Sequence, residues 1–237
     1  MLALWRLFLI FVLAAIALFT SCGNDRSQAR FLMASTSPPK GIPLNLDIAI
    51  DGKTQATGLT FGNLVPTTGY LTLTAGTRRV EARDTGTTTD DLNFLVAFAS
   101  GKQYTMLVVG RVVDKSLALL QKTDDNSAPP SGKIKLRVIH CAPLGPAFLD
   151  IYIVAPGTDI TNLAPTISGL GYQQASNYEV LAAGSYEVIM VDTTDHSKKP
   201  VDKPYDLGAG EIRTLVTVDD AADLGISDTP LVLSDLN

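Results

Sequence analysis

The chain contains little cysteine, little histidine and no long run of charge. Two cysteines and two histidines among 237 residues are too few for a small disulfide-stapled scaffold. They also leave a histidine- or cysteine-based metal site short of ligands, so no metal is expected. The formal net charge is −5. Because a mildly acidic surface repels phosphate backbones, no nucleic-acid partner is expected.

The motifs of cofactor and hydrolase chemistry are also missing. The short segments Gly169-Leu-Gly171 and Gly208-Ala-Gly210 cannot form a dinucleotide-binding loop, since neither opens a helix after a strand. No G-x-S-x-G sequence, the nucleophile elbow of many hydrolases, occurs. The acidic residues near the C-terminus lack the spacing of a calcium-binding loop. The sequence therefore predicts no cofactor and no catalytic residue.

The N-terminus carries one positive charge and one apolar run. Arg6 precedes thirteen apolar residues at positions 7–19, fewer than the ~20 that a membrane-spanning helix needs. A short apolar core behind a positive charge is typical of a secretory signal peptide. The sequence therefore predicts a signal peptide at residues 1–21.

Cys22 directly follows this segment. Its surroundings, Leu18-Phe-Thr-Ser-Cys22-Gly23, resemble the bacterial lipoprotein box, in which the cysteine receives lipid and becomes the mature N-terminus. The resemblance implies lipidation of Cys22 and membrane attachment through its acyl chains, with residues 22–29 as a tether. Gly23, in place of aspartate, implies sorting to the outer membrane, facing the periplasm or the cell surface. Cys141 is then left unpaired.

After the tether, short apolar–polar alternations are separated by turn signals. Leu46, Ile48 and Ile50 share one face of a strand, and the dipeptide Asp51-Gly52 predicts a hairpin turn. Similar short segments recur along the chain, with glycine or proline between them. This spacing predicts an all-β fold of antiparallel β-sandwich domains.

The same order of segments occurs twice. The pairs that match are LDIAI (46–50) with LDIYI (149–153), AGT (75–77) with AGS (183–185), and residues 101–107 with 210–216. Their offsets are 103, 108 and 109 residues, a drift that loop insertions produce. The order predicts a duplication, with a diverged first repeat at 30–121, a linker at 122–132 and a second repeat at 133–237.

Three segments of the second repeat resemble a bacterial family. They are Arg137-Val-Ile-His-Cys-Ala-Pro, Leu149-Asp-Ile-Tyr-Ile and Leu181-Ala-Ala-Gly-Ser-Tyr-Glu-Val-Ile. They are similar to the patterns R-V-V-H-A-S-P, V-D-V-Y and L-P-A-G-x-Y of the domain-of-unknown-function family DUF4397. The resemblance implies tandem Ig-like β-sandwiches on a secreted or anchored envelope protein, and it implies no established activity.

His140 and Cys141 are the residues whose chemistry most suggests a site. Neighbouring residues on a strand point to opposite faces, so this pair cannot easily act on one centre. A histidine that hydrogen-bonds the strand end, beside a small buried thiol, is the favoured interpretation. A hydrolase using His140 is the least favoured alternative, and it would require a cleft that joins this residue to carboxylates.

Tyr172 and Tyr178 are candidates for stacking on a glycan, with the polar loop at 193–204 as a further part of such a site. Tyrosine in a sandwich more often packs in the core or across strands. Binding of an envelope glycan or another small ligand is therefore an alternative function.

The sequence favours a non-catalytic protein of the cell envelope, with two sandwich modules that serve as scaffold or interaction domains. Its expected partners are the membrane, through the lipid anchor at Cys22, and an envelope protein or polysaccharide.

Overall fold

The computed structural model describes residues 25–36, 44–88, 92–220 and 225–235. The predicted signal peptide and Cys22 lie outside these residues. The regular elements of the described part are all strands, and this part contains no helix long and apolar enough to cross a membrane.

The first half of the chain forms nine strands in two sheets. They are β1 (Arg26–Met33), β2 (Leu46–Ile50), β3 (Lys53–Leu59), β4 (Leu64–Val65), β5 (Leu71–Thr74), β6 (Gly76–Asp84), β7 (Leu92–Phe98), β8 (Gln103–Val109) and β9 (Ala118–Asp124). One sheet has the order β4-β1-β8-β9, with β5 also paired to β1, and the other has the order β3-β2-β6-β7.

The second half forms eight strands with the same arrangement. They are β10 (Lys133–His140), β11 (Phe148–Val154), β12 (Ile167–Gly171), β13 (Glu179–Ala182), β14 (Gly184–Asp192), β15 (Val201–Leu207), β16 (Ile212–Thr217) and β17 (Leu231–Ser234). The sheets have the orders β13-β10-β16-β17 and β12-β11-β14-β15.

Each half is a sandwich because its two sheets share one core. Phe31 on β1 and Ile48 on β2 belong to the first core, and Val138 on β10 and Ile151 on β11 belong to the second. All four side chains are fully buried. The predicted all-β class, with two tandem Ig-like β-sandwiches, is confirmed.

The strands differ from the sequence predictions in their ends and in one pairing direction. β1 begins at Arg26, inside the predicted tether, and β9 continues to Asp124, inside the predicted linker. β1 pairs with β8 in parallel, and β10 pairs with β16 in parallel. The alternation within one strand does not report the direction of its neighbour, so these parallel pairs could not be predicted from the sequence.

Two of the four sheets are covered on both faces. These inner sheets, β4-β1-β8-β9 and β13-β10-β16-β17, pack against each other through a third apolar cluster that includes Leu32, Leu107, Val216 and Leu233. Burial of each such side chain contributes roughly 1.5–3 kcal/mol. The four layers therefore run outer, inner, inner, outer, and the two sandwiches share an apolar interface.

The connection between the sandwiches is anchored at its start. The Lys135 ammonium donates to Asp125 Oδ2 at 2.6 Å and to the Ser127 carbonyl oxygen at 2.8 Å. The hydrogen bond from Lys135 lowers the pKa of Asp125 to about 2. The segment that leaves β9 is thus held against β10 by a charged contact.

Candidate functional site

Two arginines lie in the interface between the inner sheets. Because successive residues of a strand point to opposite faces, Phe31 enters the first core while Arg30 points toward the second sandwich. Val138 and Arg137 have the same relation on β10. Arg30 is 1% exposed and Arg137 is 2% exposed. A guanidinium buried this deeply needs counter-charges and hydrogen-bond acceptors.

Arg30 finds its closest partners in the other sandwich. Its Nη2 forms a short ion pair with Asp235 Oδ1, and its Nη1 donates to the Ser234 carbonyl oxygen at 2.7 Å. Within its own sheet, Nε donates to Thr105 Oγ1 at 2.9 Å. Asp124, the carboxylate of its own sandwich, is farther away, at 3.7 Å.

Arg137 repeats this pattern in the opposite direction. Its Nη2 forms a short ion pair with Asp124 Oδ1, and its Nη1 donates to the Thr123 carbonyl oxygen at 2.9 Å. Its Nε donates to Thr214 Oγ1 at 2.8 Å. Asp235 lies 3.9 Å away. Each sandwich therefore contributes one arginine that pairs with an aspartate of the other sandwich.

A tyrosine completes each half of this arrangement. The Tyr70 hydroxyl donates to Asp124 Oδ2 at 2.7 Å, and the Arg30 guanidinium lies 5.0 Å from the centre of its ring. Tyr178 donates to Asp235 Oδ2 at 2.8 Å, and its ring centre lies 4.7 Å from the other guanidinium. Burial raises the pKa of both hydroxyls. Both therefore stay protonated and act as donors.

Arg30, Arg137, Asp124 and Asp235 form what we call the charge cluster. Its two positive and two negative charges balance, and every member has further hydrogen bonds, which is the condition under which buried ion pairs offset the loss of hydration. The contacts are related as in the interface of a two-fold symmetric dimer. Because guanidinium–carboxylate pairing is directional, the cluster specifies one relative orientation of the two sandwiches.

His140 is fully buried at the end of β10. Its Nδ1 lies 2.8 Å from Thr217 Oγ1, and its Nε2 lies 2.8 Å from the Pro146 carbonyl oxygen. Since a carbonyl oxygen can only accept, Nε2 carries a hydrogen. Burial lowers the pKa of His140, which favours the neutral ring. Both ring nitrogens are engaged, so this geometry leaves neither of them free for proton transfer to a substrate.

The lowered pKa of His140 predicts a stability that depends on pH. Above about pH 6.5 the ring is neutral in both the folded and the unfolded chain, so this residue adds no pH dependence. As the pH falls below 6.5, the unfolded chain binds a proton that the folded chain resists, and stability falls by up to about 1.4 kcal/mol per pH unit. Urea denaturation at several pH values in this range measures the free energy of unfolding. We expect this free energy to fall less steeply with decreasing pH for His140→Gln than for the natural chain.

His196→Gln is the matched control for this experiment, because it removes the other histidine, whose side chain is 59% exposed. The assignment of His140 as a buried neutral group would be contradicted if both variants changed the pH dependence of the unfolding free energy equally. It would also be contradicted if His140→Gln left this pH dependence unchanged.

The structure gives the other sequence candidates different surroundings. Tyr172 packs edge-on against His140, with ring centres 6.0 Å apart, whereas Tyr178 belongs to the interface. Cys141 is 1% exposed and joins the apolar cluster between the inner sheets, on the face opposite His140. Burial raises the pKa of its thiol. Among the described residues, no group of three or more His, Cys, Asp or Glu side chains could hold a metal ion.

Sequence reasoning missed the charge cluster. The one available signal was an arginine at the same place in both first strands, Arg30 and Arg137, on the face that does not enter the core.

Comparison with curated proteins finds no match.

Among solved structures, the chain is similar to the carbohydrate-binding module CBMbc (family CBM26) of Eubacterium rectale Amy13K, whose crystal structure is a complex with maltoheptaose. The identity is 11%, the match covers 87% of this chain and 96% of that chain, and the TM-score is 0.27. A TM-score this low carries no argument about shared function.

The sequence model described as "Domain of unknown function (DUF4397)" matches residues 27–152, which is more than half of the 237 residues. The chain therefore belongs to the DUF4397 family.

Proposed function

We propose that this chain is a lipid-anchored protein of the cell envelope, in which two copies of the DUF4397 domain form one rigid, non-catalytic module. The module would act by display. Its loops and outer sheets would be held at fixed positions relative to each other and relative to the membrane, where an envelope protein or polysaccharide could bind.

The reciprocal ion pairs across the interface are the observation that carries this proposal. Interfaces between domains of one chain commonly permit relative motion. Here, separating the sandwiches would expose the apolar cluster around Leu107 and Val216 and would also leave four buried charges without their partners. A two-domain arm held in this way suits a protein that presents a surface, rather than one that closes around a substrate.

The non-catalytic part of the proposal draws on the surroundings of His140. Both of its ring nitrogens are bonded within the fold, and the ring is fully buried. A general base must reach the proton that it abstracts, and this ring is placed to fix the corner after β10 instead.

The anchor is supported by the sequence around Cys22. A short apolar run ends in small residues directly before this cysteine, and acyl chains on its thiol would bind the bilayer through burial of their methylene groups. The tether would be short, because β1 begins at Arg26.

Replacing Cys22 with alanine should therefore release the protein from membranes. We expect the natural chain in the membrane fraction of its host and Cys22→Ala in the soluble fraction, measured by fractionation and immunoblotting. Cys141→Ala is the matched control and should stay with the membranes. Persistence of Cys22→Ala in the membrane fraction would contradict lipidation at this residue.

A further inference from the structure

The two halves of the interface differ at the position of Lys122. On β9, Lys122 pairs with Thr105 of β8. On β17, the residue that pairs with the corresponding Thr214 is Leu233. Leu233 is 5% exposed and packs in the apolar cluster between the inner sheets. A lysine thus occupies, in one sandwich, the place that a buried leucine occupies in the other.

Lys122 is half-buried, and within the described part of the chain no acidic side chain pairs with it. Its ammonium forms no ion pair or hydrogen bond with any residue that the structure describes. Burial lowers the pKa of Lys122; the neighbouring Cys141 acts in the opposite direction but does not offset burial, and the Arg137 guanidinium lowers this pKa further. Holding an unpaired ammonium partly out of water, close to a second cation, costs stability. A leucine would avoid that cost, so the lysine points to a ligand.

Lys122 lines a groove between the sandwiches with a volume of about 500 Å³. Lys102, whose side chain also has no ion-pair partner within the described ranges, lines the same groove. The opposite wall comes from the second sandwich and includes Asn177 and Tyr178. We call this the lysine groove.

The charges of the lysine groove do not cancel. Asp124 is already paired with Arg137, and Asp125 is already paired with Lys135. The charges left over are those of the two lysines, Lys102 and Lys122. In a chain whose formal net charge is −5, this groove is a local site of positive charge, and such a site attracts anions.

The corresponding groove on the other side of the interface provides an internal comparison. It has a volume of about 420 Å³ and is lined by Arg30 together with Leu64, Val232 and Leu233. Leu233 stands there in place of Lys122, and the residue that corresponds to Lys102 is Glu211. The fold itself therefore does not require cations at this position.

We propose that the lysine groove binds the carboxylate of an acidic polysaccharide, such as a chain of uronic acids. The Lys122 ammonium would pair with the carboxylate, a charge-assisted contact stronger than one between neutral groups. The Asn177 amide offers donors and an acceptor that suit sugar hydroxyls, and the Tyr178 ring offers an apolar surface for a sugar face. This combination favours a saccharide over an acidic peptide.

The test is isothermal titration calorimetry of the full chain in detergent with three probes: a galacturonic acid hexamer, the neutral maltohexaose and hexaglutamate. We expect the uronic acid hexamer to bind, with an affinity that falls as salt is added, and the other two to bind at least about tenfold more weakly. Lys122→Leu should weaken binding of the uronic acid at least about tenfold, since it removes a charged hydrogen-bond donor.

Lys53→Leu is the matched control, because it makes the same change at an exposed position on β3, outside the groove, and should leave binding unchanged. Since leucine already occupies the equivalent place at 233, Lys122→Leu should melt at or above the natural temperature. Should it fail to fold, Asn177→Gly provides a second variant that should also weaken binding.

Three results would overturn the proposal. They are no binding of the uronic acid hexamer, undiminished binding in the folded Lys122→Leu variant, or hexaglutamate binding as tight as that of the hexamer, which would indicate a site for acidic peptides. None of these outcomes bears on the rigid module or on the anchor, which have their own tests.

Discussion

Arg137→Met lowers the free energy of unfolding by about 3–5 kcal/mol, as expected when one partner of a buried ion pair is removed. The methionine fills much of the same volume, so the main effect is electrostatic. Asp124 keeps its hydrogen bonds from Tyr70 and Thr105 but loses its closest cation while it is fully buried. Chemical denaturation monitored by circular dichroism measures this change.

Two further arginines provide matched comparisons. Arg30→Met should cost a similar amount, because Arg30 makes the equivalent contacts in the opposite direction. Arg213→Met should cost no more than about 1 kcal/mol, since Arg213 and its partner Glu211 are partly exposed. Equal, small losses in all three variants would show that the charge cluster does not form in solution.

Leu107→Ala should lower the free energy of unfolding by about 2–5 kcal/mol, the usual cost of a cavity in a packed core. Leu107 is fully buried, but it packs between the inner sheets and not inside either sandwich core. If the sandwiches moved independently, this side chain would lie on a solvent-facing sheet, and its truncation would have little effect. The same denaturation experiment therefore reports on the interface.

Leu95→Ala makes the same truncation at an outer position. Leu95 lies on β7 and is 73% exposed, so we expect a change within about 0.5 kcal/mol. A loss for Leu107→Ala as small as that for Leu95→Ala would contradict the packing of the two inner sheets.

The outer sheets could be predicted well from the sequence, because one face of each is exposed and their strands alternate. The strand predicted from Leu46, Ile48 and Ile50 is β2, Leu46–Ile50. The turn predicted at Asp51-Gly52 is present, and both residues have the positive φ angles, 51° and 75°, that such a turn requires. Local pattern and turn chemistry are sufficient where only one face of a strand is buried.

The inner sheets were harder to predict because both of their faces are buried. The start of β1, Arg26-Ser-Gln-Ala29, contains mostly polar residues, and the sequence therefore favoured a tether there, with the first strand beginning only at Arg30. In the structure, Ser27 is buried and donates to the Lys102 carbonyl oxygen at 3.0 Å. No local pattern shows that a polar segment finds its partners on a distant strand.

The charge cluster could not be predicted from the sequence for the same reason. Arg30 and Asp235 are 205 positions apart, and each one alone resembles an ordinary surface residue. Tyr178 was selected from the sequence as a residue that a glycan could stack on, and the structure places it in the wall of the lysine groove. Tyr178 could be selected from the sequence because tyrosine is a residue type that stacks on sugars. Lys102 and Lys122 could not be selected, because nothing in the sequence shows that they lie near this tyrosine.

The double-mutant cycle between Arg137 and Asp124 tests most directly whether reciprocal ion pairs hold the two sandwiches together. We predict that Arg137→Met and Asp124→Asn are coupled by at least about 1.5 kcal/mol, because each removes the other's closest partner across the interface. Arg137→Met and Asp51→Asn, as a distant pair, should be additive within about 0.5 kcal/mol. If reciprocal ion pairs hold the two sandwiches together, Arg137→Met and Asp124→Asn are coupled and the distant pair is additive. Additivity of both pairs would contradict this claim.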